Sequence, residues 1–75
     1  MGFHFFVVIL MDRHDPEELE IDAVFDSEKE AESGIYFSKR RMLSNYGQDT
    51  PNVEWAWENS NFPERYVFLI REISS

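Results

Sequence analysis

Residues 3 to 11 read Phe-His-Phe-Phe-Val-Val-Ile-Leu-Met, an almost unbroken apolar run. A helix that spans a bilayer needs about 20 apolar residues, so the run is too short to cross a membrane as a helix. It is also unlike a signal peptide. No Lys or Arg precedes it, and Asp12-Arg13-His14-Asp15 follows it where small residues belong. Gly2 stands where N-myristoylation would need it, but Phe6 fills the place of the required Ser or Thr. The run's length and its Val and Ile content predict a strand buried on both faces. A chain of 75 residues with such a strand must find cover for both sides of a sheet.

Size makes that demand harder to meet. A chain this short buries only about 60% of its unfolded surface. It has no cysteine, so neither a disulfide nor a Cys-based zinc site can staple it. Aromatic packing and self-association remain, and seven Phe, three Tyr and two Trp supply the first. The expected object is one soluble, cytoplasmic domain over residues 1–75.

The rest of the chain reads as five further segments. Asp12 to Glu18 is polar and contains Pro16, which predicts a loop. Leu19 to Phe25 alternates, with Leu19, Ile21, Ala23 and Phe25 on one side, and predicts a half-exposed edge strand. Ser27-Glu28-Lys29-Glu30 is a capping box, and it predicts a helix from about Glu28 to Asn45 with Gly47 as its stop. Ala31, Ile35, Ser38 and Met42 share one face of that helix, and Phe37 points away from it. Val53 to Glu58 alternates again, setting Val53, Trp55 and Trp57 against Glu54, Ala56 and Glu58, and predicts a second edge strand. Tyr66 to Ile73 predicts a last, central strand. The expected fold class is therefore α+β: a single four-stranded, mainly antiparallel sheet in β-β-α-β-β order, with one helix packed on one face. One helix covers one face only, so the other needs a second copy of the chain or another protein.

Catalytic patterns do not emerge. His4 and His14 lack metal-ligand spacing, and the acids around His14 lack the spacing and central Gly of a calcium loop. No phosphate-binding glycine loop and no activated serine pattern occurs. No catalytic residue, metal or cofactor is expected. Lys39-Arg40-Arg41 is the one basic cluster, and a helix end complemented by cations accounts for it.

Charge is segregated instead. Ten acids and two bases lie between Asp12 and Glu32, which accounts for the whole formal charge of −8. Glu28, Glu30 and Glu32 suit the start of a helix, and Glu20 and Asp22 suit the outer face of an edge strand, where charge discourages edge-to-edge pairing. The remainder, Asp12, Asp15, Glu17 and Glu18 with Glu20 and Asp22, would form an anionic patch if the fold gathers it. Such a patch repels nucleic acid and attracts basic proteins. Phe37 or Trp55 is the candidate apolar anchor.

A very small, acidic, cysteine-free α+β chain with one helix on an antiparallel sheet resembles the phage-encoded anti-CRISPR and anti-restriction proteins. The resemblance lies in architecture and charge over the whole chain. It implies a non-catalytic inhibitor that occupies the basic, nucleic-acid-binding surface of a partner protein. The partner-binding residues expected are Asp12, Asp15, Glu17, Glu18, Glu20, Asp22, Phe37 and Trp55. The alternative is a homodimeric structural or regulatory subunit whose sheet faces pair, and a small enzyme is the third class. Neither direct nucleic-acid binding nor a membrane is expected.

Overall fold

The computed structural model describes residues 2–75. Strand β1 (His4–Asp12) turns into β2 (Asp15–Phe25), and helix α1 (Glu28–Asn45) follows. Two short helices, α2 (Val53–Glu58) and α3 (Phe62–Arg65), lead into strand β3 (Tyr66–Ser74). The sheet has three strands in the order β2-β1-β3, and both pairings are antiparallel. Among the described residues, no helix is long and apolar enough to cross a membrane.

The expected four-stranded β-β-α-β-β sheet is corrected here, because Val53–Glu58 is a helix. Six residues are too few to separate the two periods. Val53, Ala56 and Trp57 are buried, at i, i+3 and i+4, while Glu54, Trp55 and Glu58 face outward. Trp55 and Trp57, expected side by side, point to opposite sides of one turn. Without a fourth strand, β3 becomes an edge strand and β1 alone is bonded on both sides. The expected loop at residues 12–18 is also largely strand. The turn needs only Arg13 and His14, because the Asp12 carboxylate accepts the His14 N–H at 2.9 Å. Pro16 is tolerated because β2 is an edge.

The phase of β2 changes along its length. Ile9 pairs with Ile21 but Val8 pairs with Ala23, so Asp22 is an extra residue, a β-bulge. Leu19, Ile21 and then Val24 therefore share one face. Asp22, Ala23 and Phe25 share the other, which α1 covers. The Ser38 hydroxyl of α1 donates to Asp22 Oδ2 at 2.5 Å, and Arg41 reaches Asp22 Oδ1 at 3.6 Å.

Helix α1 begins and ends as its sequence dictates. The Ser27 hydroxyl accepts the Glu30 N–H at 3.1 Å. At the other end Gly47 has φ +80°, the Gly47 N–H reaches the Ser44 carbonyl, and the Gln48 N–H reaches that of Leu43. This is a Schellman stop. Nothing lies near the Gly47 Cα on its side-chain side, so Gly47→Ala should cost only the left-handed backbone penalty, about 1 kcal/mol, read as a lower urea midpoint.

The core has two parts. Val8 and Ala31 are fully buried between the sheet and α1. Leu43, Val53, Ala56 and Trp57 form a second cluster with Phe62, Tyr66 and Phe68 around it. There the Trp57 and Phe62 rings stack at 5.0 Å between centroids, and Lys39 lies over Trp57 while bonding Glu54 at 3.2 Å. Gly34 brings α1 down onto β2, where a Cβ would lie within 2.7 Å of the Phe25 ring. Gly34→Ala gains about 1 kcal/mol of helix propensity but overpacks Phe25 at a cost of about 1–3 kcal/mol. It should destabilise the natural chain and stabilise a Phe25→Ala variant. The same sign in both backgrounds, measured by urea unfolding, would refute this close approach.

Candidate functional site: an open sheet face and an acidic hairpin end

Among the described residues, none forms a layer over the face of the sheet opposite α1. It is built from cross-strand rows centred on β1. Met11 lies between Leu19 and Val67, Ile9 between Ile21 and Leu69, and Val7 between Val24 and Arg71. Phe5 and Ile73 continue the rows, and Phe3 stacks on Phe5 at 5.4 Å. Side chains on the central strand are partly shielded by their neighbours. Those on the edges are not: Ile21 is 70% exposed, and Leu19, Val24 and Leu69 are also open. Large apolar residues scattered singly over a surface are ordinary; a contiguous set of this kind is not.

The residues of this face do not stand out one by one in the sequence. The apolar character of β1 on both sides signals that a second face needs cover. The bulge at Asp22, which sends Leu19 and Ile21 outward, has one trace: Val24 is apolar where strict alternation demands a polar residue.

The acids gather at the hairpin end. Asp12, Asp15, Glu17, Glu18 and Glu20 border one groove of about 630 Å³, together with His14, Arg65 and Tyr66. Two of the six expected acids are already engaged within the chain. Asp22 points away to Ser38 and Arg41. Asp12 accepts from Arg65 through Nε and Nη2, each at 3.1 Å, and so ties the hairpin turn to the start of β3. Asp15, Glu17, Glu18 and Glu20 are exposed. Among the described residues no cluster of three or more His, Asp or Glu is arranged to hold a metal ion.

The candidate anchors lie elsewhere. Phe37 is exposed on the outer side of α1, beside a shallow depression with Phe25 and Gly34, and Trp55 is exposed on α2. Neither lines the acidic groove. The basic cluster is mostly spent within the chain. Lys39 pairs with Glu54, Arg41 with Asp22, and α1 has no base in its last turn. The expected role as a helix-end complement is therefore replaced by packing and ion pairing.

Asp12 titrates below the ordinary carboxylate range, first because Arg65 hydrogen-bonds it and next because the His14 N–H does. A carboxyl lowered on folding stabilises the fold above its unfolded pKa and loses that contribution as pH falls through its folded value. Asp12→Asn should therefore lower the urea midpoint at neutral pH, and the difference should vanish in acid, below the ordinary Asp range. A difference that persists unchanged at low pH would show that the Arg65 contact is not what Asp12 supplies.

No protein-family model, curated protein or solved structure matches the chain.

Proposed function

We propose that the chain is a non-catalytic protein-binding module whose working surface is the open face of its three-stranded sheet. One observation carries this reading: Leu19, Ile21, Val24 and Leu69 form one apolar surface with the rows of β1, and no layer of the described residues lies over it. Burying such a surface against a protein is favourable by about 25 cal/mol per Å² of apolar area removed from water. Nothing comparable favours a small-molecule or nucleic-acid ligand there. The face lacks the convergent polar groups of a ligand pocket, and Arg71 is the one cation in its paired rows.

A photo-crosslinking residue at Ile21 should form adducts with protein, identified by mass, while the same residue at Phe37 on the far side of the molecule should not. Adducts at Phe37 but none at Ile21 would place the working surface elsewhere.

The exposed acids favour a second reading. Asp15, Glu17, Glu18 and Glu20 around one groove suit a cationic partner. On this reading the chain acts in the cytoplasm as an inhibitor, of the kind seen among anti-CRISPR and anti-restriction proteins, by occupying the nucleic-acid site of a basic protein. Retention of that partner should fall steeply with salt and should weaken on replacing Asp15, Glu17 and Glu18 by their amides. Retention indifferent to both changes would remove the inhibitor reading.

A further inference from the structure

We propose that the occupant of the open sheet face is a second copy of this chain, stacked face to face with its β1 antiparallel to the first. This rests on the open face being the working surface and names what covers it. Area is the first argument. The chain exposes 5609 Å², whereas a 9.0 kDa monomer of ordinary compactness exposes roughly 4,850 Å². Its radius of gyration is 13.5 Å, against about 11.4 Å for a compact chain of this length. The molecule measures 46 × 29 × 16 Å along its principal axes, flat in one direction. The surplus surface is comparable to the ~800 Å² that each partner contributes to a standard stable interface.

The pattern on the face is the second argument. A two-fold contact requires a surface that complements itself. Rows of Val, Ile, Leu and Met do so, because apolar side chains interdigitate with their own kind across the roughly 10 Å between stacked sheets. Arg71 lies on edge strand β3, where a long stem can lie on the apolar surface and carry its guanidinium to the rim. A basic partner would be a poorer match, since its cations would find few charges within the rows.

Charge then selects the orientation. Each copy carries −8, and the exposed acids crowd the hairpin end. With the β1 strands parallel, the two hairpin ends would stack at the sheet separation of about 10 Å, close to the screening length of about 8 Å in physiological salt. With them antiparallel, the ends lie a strand length apart, about 30 Å for the nine residues of β1, and screening removes their repulsion. Each acidic end then also approaches the half of its partner's sheet that carries Arg71 instead of the other acidic end.

Sedimentation equilibrium over a micromolar range should give the mass of two chains. Ile21→Lys and Leu69→Lys should each raise the dissociation constant by about tenfold or more, while Phe37→Ser should leave it unchanged. Both lysine substitutions fall on residues already exposed in the single chain, and an unchanged far-ultraviolet dichroism spectrum confirms the fold of each. Since the chain has no cysteine, a spin label on a His14→Cys variant reports the separation of the two hairpin ends. A separation of tens of ångströms is expected, and a short one would overturn the antiparallel arrangement. A folded single chain at high micromolar concentration would overturn self-pairing outright. If crosslinks from Ile21 then join the chain to some other protein, the open face survives as a binding surface and only the identity of its occupant is lost.

Discussion

Everything in this fold follows from giving one strand two partners and only one roof. Strand β1 is hydrogen-bonded along both edges, so its backbone is satisfied wherever it is buried. Its side chains project to both faces, and both sets are apolar. Helix α1 and the aromatic cluster of α2 and α3 take up one set. Among the described residues there is no further element to take up the other. The connection between α1 and β3 could have supplied one, but its residues coil into two short helices on the side already covered, where Trp57 meets Phe62 and Phe68.

How much of this is legible in the sequence depends on how local the signal is. Helix α1 is read to its ends, because Ser27 and Gly47 mark it through hydrogen bonds that involve only near neighbours. The apolar strands β1 and β3 are likewise set by composition. The segment Val53–Glu58 is misread because Val-Glu-Trp-Ala-Trp-Glu satisfies both a period of two and a single helical turn. Tertiary packing of Trp57 decides between them, and no local rule contains that information. The bulge at Asp22 is hidden for the same reason. The partners of the Asp22 carboxylate, Ser38 and Arg41, lie far along the chain.

The acidic stretch separates in a similar way. In sequence it is one block. In space, Asp22 is a buried-side tether, Asp12 is a clasp to Arg65, and Glu28 and Glu30 lie in the first turn of α1. The hairpin end keeps the exposed acids Asp15, Glu17, Glu18 and Glu20 around one groove. The candidate site was thus half visible: its charge could be counted beforehand, but its apolar face required the register of β2, which a single extra residue reverses.

The pairing of β1 with β3 has a consequence for how the chain reaches this structure. Asp12 lies opposite Tyr66 and His4 opposite Ser74, so the sheet closes only when residues between 54 and 70 positions apart in the chain meet. The β1–β2 hairpin and α1 need no such meeting and can organise among themselves. Loop-closure entropy makes distant pairings slow relative to local ones. During synthesis, one edge of the most apolar strand therefore waits unbonded until residues 66–74 have emerged. A nascent hairpin with a bare edge and two apolar faces is a ready template for mispairing, so the interval before β3 docks is the most aggregation-prone stage in the life of this molecule.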